Sequence, residues 1–327
     1  MSDQAPDERL LGFVQRTDAL RANVEQAVRG KPDEVRLAVV CLLAEGHLLV
    51  EDVPGVGKTS LARALAASIE GSWNRIQFTP DLLPSDVTGV TVYHQGREAF
   101  EFHPGPVFAN LVIGDEINRA SPRTQSALLE VMDERRVTVD GVAHAVPRPF
   151  LVIATQNPVD MDGTYPLPEA QLDRFLMRIS IGYPDHDAEV DILESQRTGS
   201  VIEQLGSVMA ADEVATMIRL ARAVHVSPEV QSYIVRLAGQ LRASPALRLA
   251  TSPRASLALM RAAQVAAAMA GRAYVLPEDV KELAVPVLAH RLIVAPDALL
   301  AGRRAEDLVT EALGEVPAPT GTAPVGL

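Results

Sequence analysis

The stretch His47-Leu48-Leu49-Val50-Glu51-Asp52-Val53-Pro54-Gly55-Val56-Gly57-Lys58-Thr59 decides the fold. An apolar run that reads as a short buried strand passes through a glycine loop into Lys58 to Ile69, which reads as a helix. Gly55 and Gly57 let the backbone wrap closely around an anion, with its N–H groups pointing inward. The helix that follows directs the positive end of its dipole at the same anion. In that setting Lys58 is expected to neutralise the β- and γ-phosphates of ATP, and Thr59 to ligate Mg²⁺. The expected nucleotide-binding set is Pro54, Gly55, Val56, Gly57, Lys58, Thr59 and Ser60. The general pattern asks for glycine six residues before the lysine, where this chain has Asp52. That departure leaves the phosphate-facing half intact and the turn out of the strand less defined.

Outward from this loop, short apolar strands are expected at Arg75 to Phe78, Leu111 to Ile113, Phe150 to Ala154 and Met177 to Ile181. Ser121-Pro122 reads as an N-cap with proline in the first turn, opening a helix that carries Leu128, Leu129 and Met132. Strands alternating with helices imply a parallel sheet covered on both faces. Thr91 to Phe102 and Arg136 to Val146 interrupt the alternation; each reads as a hairpin, around Gln95-Gly96 and Asp140-Gly141. Before the loop, Leu10, Phe13, Leu20, Val24 and Ala27/Val28 recur at helical spacing.

Beyond Tyr183-Pro184 the pattern becomes helical, with starts at Ser227-Pro228, Ser252-Pro253 and Leu276-Pro277 and no strand signal of comparable strength. The expected organisation is a nucleotide-binding α/β core over 1–190, a helical domain over 191–316, and a disordered tail over 317–327.

Two further segments carry chemistry. Leu111-Val112-Ile113-Gly114 ends in Asp115-Glu116, and a parallel strand delivers such residues to the crevice where a phosphate loop lies. Asp115 is placed to hold Mg²⁺ and Glu116 to polarise the attacking water, the strand ends of loop and carboxylates being expected side by side. Standing alone, the pair would be a solvated acidic strand end. Asn157, closing Phe150 to Gln156, can orient water or sense the γ-phosphate; an ordinary Asn-Pro turn reads almost as well from local sequence.

Acidic residues outnumber basic ones, 42 to 30, for a net charge of −12, which argues against a chain that coats nucleic acid. The single cysteine, Cys41, lies in an apolar run and reads as a buried thiol. His94, His103, His144 and His186 are scattered without metal-ligand spacing, so no zinc site is expected. Met1 to Glu8 lacks the pattern of a signal peptide, and no apolar stretch reaches the roughly 20 residues that span a bilayer. A cytoplasmic protein is the expectation.

Val53 to Thr59, Asp115-Glu116-Ile117-Asn118-Arg119-Ala120 and Ala154 to Pro158 occur in the order of the motifs of the MoxR family of AAA+ ATPases. Leu167 to Phe175 and Thr251-Ser252-Pro253-Arg254-Ala255 fit the same family. The resemblance runs from about Gln26 to Arg291. It implies an AAA+ αβα core with an all-α lid, assembling as a homo-oligomeric ring, a hexamer by family habit. Asn157 then matches the first sensor, Arg254 the lid sensor, and Arg174 the finger that reaches a neighbour's nucleotide. Arg119 and Arg178 stand as substitutes for the finger. The hairpins match the helix-2 insert and the pre-sensor hairpin, both facing the pore.

The function so implied is ATP hydrolysis that remodels or matures partner proteins. The resemblance adds a von Willebrand factor A-domain protein and a client enzyme as partners. Two readings compete with it. One is a nucleic-acid-stimulated translocase of helicase type, which shares the two hairpins; the other is a nucleotide-gated scaffold with little turnover.

Overall fold

Leu48, Leu49 and Val50 are buried on both sides of the chain, as are Leu111 to Asp115 and Leu151 to Thr155, so these runs form the interior of a sheet covered on both faces. The computed structural model describes residues 6–158, 163–195 and 201–319. The strands are β1 (Leu48–Glu51), β2 (Trp73–Gln77), β3 (Leu111–Asp115), β4 (Leu151–Gln156) and β5 (Met177–Ile179), in the order β5-β1-β4-β3-β2. The pairings of β1 with β4, β4 with β3, and β3 with β2 are parallel. β2 lies at one edge, and of its five residues only Ile76 is buried.

The order corrects one expectation. The ends of β1 and β3 are not neighbours, because β4 lies between them. Register nevertheless brings the ends level: Glu51 faces Gln156, Gly114 faces Ala154, and Gln77 faces Asp115. The polar residues after each strand therefore emerge on one rim.

Helix Lys58–Ala67 follows the glycine loop, and helix Pro122–Glu134 begins where Ser121 accepts the Thr124 N–H at 3.4 Å. Phe78, Val112, Leu128, Leu129, Val152 and Phe175 pack as one apolar cluster beneath the rim. Helix Pro32–Leu43 buries Cys41. Both hairpins form, as Gly89–His94 with Ala99–Pro104 and Arg136–Val139 with Val142–Ala145. The tight Asp140-Gly141 turn has φ of 49° and 80°, the positive pair that suits the twist of a two-residue hairpin. Phe102 of the first hairpin stacks on His144 of the second, ring centres 4.0 Å apart.

By contact density, residues 18–175 with 179–216 form one compact unit; residues up to 17, 176–178 and from 217 onward form the other. The second unit is a helical lid. Helices Pro228–Ala243, Pro253–Met269 and Pro277–Leu288 each start at a proline whose missing N–H costs nothing in a first turn. They bury Tyr233, Leu237, Leu259, Ala263, Leu283 and Leu288. Asp279 ties two lid segments, pairing with Arg272 at 2.5 and 2.8 Å while accepting the Leu276 N–H at 2.7 Å. A ribbon of Leu247–Leu249 with Ile293–Val294 interrupts the helices; two or three residues are too short to leave a readable alternation. The helix His186–Ser195 spans the expected 190/191 boundary. The tail expected over 317–327 falls, from residue 320, outside the described residues, as do the first five residues of the chain.

Candidate active site

The glycine loop takes its shape from backbone need. Gly55 and Gly57 have φ of 87° and 93°, and a Cβ on either would meet nothing within 4 Å. Only the left-handed conformation, not lack of room, calls for glycine there. Lys58 opens the helix and its ammonium donates to the carbonyls of Asp52, Val53 (3.1 Å) and Gln156 (3.2 Å). Burial lowers its pKa, while Asp52, Glu116, Asp115 and Glu51 pull the other way.

Asp52 explains how the loop leaves β1 without the usual glycine. Its φ is not among the positive values, so the backbone makes no demand for one. Its carboxylate instead accepts from Ser180 Oγ at 2.7 Å, the Gly182 N–H at 2.6 Å and the Val53 N–H at 2.8 Å. Burial opposes its charge, but these hydrogen bonds together hold the carboxyl below its ordinary pKa. The side chain anchors the root of the loop to the segment after β5.

Asp115 is buried at the end of β3. One oxygen accepts from Thr59 Oγ1 at 3.0 Å and Thr155 Oγ1 at 3.2 Å; the other pairs with Arg75 Nε at 2.6 Å. Glu116 follows in the left-handed region at φ 56°, a strained choice for a non-glycine residue of the kind that functional sites tolerate. This turn carries its carboxylate into the open, where it accepts from Gln77 Nε2 and Arg119 Nη1, each at 3.1 Å. The Glu116 N–H donates to Thr155 Oγ1 at 3.0 Å.

These groups line one cleft of about 340 Å³. Pro54, Gly55, Gly57, Lys58, Thr59 and Ser60 line it from the loop; Val56, between the glycines, does not. Asp115, Glu116 and Asn157 line the facing rim, and the Asn157 carbonyl accepts from Asn118 Nδ2 at 3.1 Å. The sequence reading missed Arg75 and Gln77, which also line the cleft. Their signal was available as two long polar side chains spaced by two on a strand, facing the same way as the carboxylates across from them.

Arg174 does not line the cleft; its Nε pairs with Asp133 at 3.2 Å on helix Pro122–Glu134. Arg178 pairs with Glu306 at 2.7 Å, and Arg119 engages Glu116 of its own chain. Arg254 is exposed in the first turn of lid helix Pro253–Met269.

A glycine loop running into a helix, level parallel strand ends and a buried Asp beside a Thr define a P-loop nucleotide-binding protein with a helical lid. Residues 47–177 match the family model described as ATPase family associated with various cellular activities, and residues 239–312 match an AAA lid domain. The protein YeaC of Bacillus subtilis is 48% identical over 297 residues, covering 91% of this chain and 93% of that one. Chaperone MoxR1 of Mycobacterium tuberculosis is 42% identical over 285 residues, covering 84% and 75%. A crystal structure from Cytophaga hutchinsonii superimposes with a TM-score of 0.88 at 35% identity, covering 96% of this chain and 98% of its own. The chain belongs to the MoxR family of AAA+ ATPases.

Proposed function

We propose that the chain hydrolyses ATP to ADP and phosphate with Mg²⁺ and uses the cycle, as a chaperone-like machine, to remodel or mature partner proteins. The observation that carries this is the convergence of Lys58, Thr59, Asp115, Glu116 and Asn157 on one cleft. Thr59 and Asp115, hydroxyl and carboxylate oxygens 3.0 Å apart, form the kind of hard donor set that suits Mg²⁺. When bound there, the ion supplies charge neutralisation at the phosphates.

The chain's own groups do the rest. Lys58 is released from its carbonyls to the β- and γ-phosphates, where its charge is better matched. Glu116 accepts the proton of the water that attacks the γ-phosphorus as the bond to ADP breaks. Asn157 holds that water or the departing phosphate. Arg174 acts in the neighbouring subunit of a ring, taken as a hexamer, and Arg254 acts from the lid of its own chain; each spreads positive charge over the γ-phosphate oxygens. Coupling hydrolysis to assembly in this way gives the pore-side hairpins a stroke to pass to a client. A von Willebrand factor A-domain protein and a client enzyme complete the assembly. No helix among the described residues is long and apolar enough to cross a membrane, and a cytoplasmic setting is part of the proposal. The net charge of −12 weighs against a nucleic-acid translocase.

The test is Glu116→Gln. It should keep ATP bound while turnover falls by about 10²-fold or more, the usual worth of a general base. Normal turnover in that variant would remove Glu116 from the chemistry.

A further inference from the structure

The expectation that the histidines lie scattered fails on the first hairpin. In its antiparallel register Val90 faces His103 and Val92 faces Glu101, so residues 90, 92, 94, 101 and 103 share one side of the ribbon. Tyr93, Phe100 and Phe102 take the other side, where Tyr93 and Phe100 pack with ring centres 5.1 Å apart. Aromatic and polar chemistry are thus separated by the pleat, and the polar side gathers two imidazoles and a carboxylate.

Twist then brings their tips together. His94 Nε2 lies 3.3 Å from Glu101 Oε2 and 3.4 Å from His103 Nε2, and the three ligand atoms all fall within 4.8 Å of one another. Ligand atoms around a tetrahedral zinc, at bond lengths of roughly 2.0–2.1 Å, are spaced about 3.4 Å apart. Two of the three separations already have that value. Both imidazoles present Nε2 to the same point, leaving each Nδ1 for another partner, as histidine ligands commonly do. The alternative use of these groups is as exposed polar contacts: His94 pairs with Glu101 and hydrogen-bonds His103 at those same distances, and Arg97 Nη1 lies 3.4 Å from Glu101 Oε2. Exposed pairs of that sort contribute little, so they offer weak competition to an ion.

We propose that His94, Glu101 and His103 bind a divalent cation of the zinc class on the polar side of the hairpin. Two imidazoles with one carboxylate favour Zn²⁺, Co²⁺ or Cu²⁺ over Mg²⁺ or Ca²⁺, which distinguishes this site from the hard-oxygen pair Thr59 and Asp115. Three protein ligands leave a coordination position open to water or to a donor from another protein. The proposal is independent of whether the chain hydrolyses ATP.

The test uses the full chain with Mg²⁺ in excess, so that hard-oxygen positions are filled. Titration with Co²⁺ should give the visible bands of low-coordinate cobalt, and competition with Zn²⁺ should return one ion per chain. His94→Ala, His103→Ala and Glu101→Gln should each weaken binding by about tenfold or more, the scale on which zinc sites respond to ligand-shell changes. His144→Ala, on the second hairpin, should leave it unchanged. Nitrogen-15 spectra of the unaltered protein give a readout that needs no variant: Zn²⁺ should move two imidazoles at Nε2. Featureless Co²⁺ spectra, binding equal in all variants, or imidazole resonances that ignore Zn²⁺ would each overturn the assignment.

Discussion

His47 offers a prediction whose size follows from the structure. Its ring is buried just before β1, with Nε2 donating to the Met132 carbonyl at 3.2 Å and Nδ1 accepting the Val152 N–H at 3.0 Å. Nδ1 must keep its lone pair to accept, so the ring is neutral and protonated on Nε2. Burial, the largest influence, lowers the pKa from 6.5 to about 4; the Met132 carbonyl works against this and Arg135 adds to it. The unfolded chain keeps the ordinary value, so on acidification the unfolded state takes up the proton first. The neutral ring costs nothing above pH 6.5; stability is lost as pH falls from there towards 4, with no further loss below. At pH 5 the loss amounts to about 2 kcal/mol, and it levels off near 3 kcal/mol. His47→Gln removes the titration while its amide can still donate to Met132 and accept from Val152. Urea unfolding followed by the fluorescence of Trp73, the only tryptophan and a residue of β2, reads the sheet directly. Between pH 8 and pH 5 the unaltered protein should lose about 2 kcal/mol more than His47→Gln. Equal losses, or an imidazole in the folded protein that titrates near 6.5, would refute the reasoning.

The other predictions concern the nucleotide cycle. Arg174→Ala should lower turnover by about 10³-fold, the worth of an arginine finger, and part of the rate should return when Lys58→Ala subunits are mixed in. Each subunit then supplies what the other lacks; no recovery in mixed rings would place the finger elsewhere. Asp52→Ala should cost about 2 kcal/mol in stability and weaken ATP binding, measured by urea unfolding and calorimetric titration, because Ser180, Gly182 and Val53 lose a charged acceptor. Asp52→Gly, which restores the general loop pattern, should be no better than alanine. DNA added at low salt should change the ATPase rate by less than about twofold; strong, salt-sensitive stimulation would favour a translocase.

Much of the fold could be read because its signals are local. Gly55 and Gly57 must adopt positive φ, and Ser121-Pro122 and Ser227-Pro228 satisfy helix N-termini with their own side chains. Partners set by strand order left no such mark. Arg75 meets Asp115 and Gln77 meets Glu116 only because β2 docks beside β3, and His94 meets His103 only through ribbon twist. Asp52 looked like a defect in a pattern because the groups that donate to its carboxylate lie at 180 and 182, beyond any local window.

The strand order that went unread has a consequence for how the site works. With β4 between β1 and β3, Thr155 stands at the centre of the rim. Its hydroxyl accepts the Glu116 N–H and donates to Asp115, so a single side chain fixes both the carboxylate proposed for Mg²⁺ and the backbone of the proposed base. The same strand offers the Gln156 carbonyl to Lys58 and is followed by Asn157, which lines the cleft. Groups that would touch the γ-phosphate from below, from the side and through water are therefore borne by, or bonded to, three consecutive residues. A shift of the end of β4 by a fraction of an ångström would move all of them together, whereas adjacent β1 and β3 ends would have let loop and carboxylates respond separately. On the proposed mechanism, the end of β4 is where loss of the γ-phosphate would first be felt by the fold.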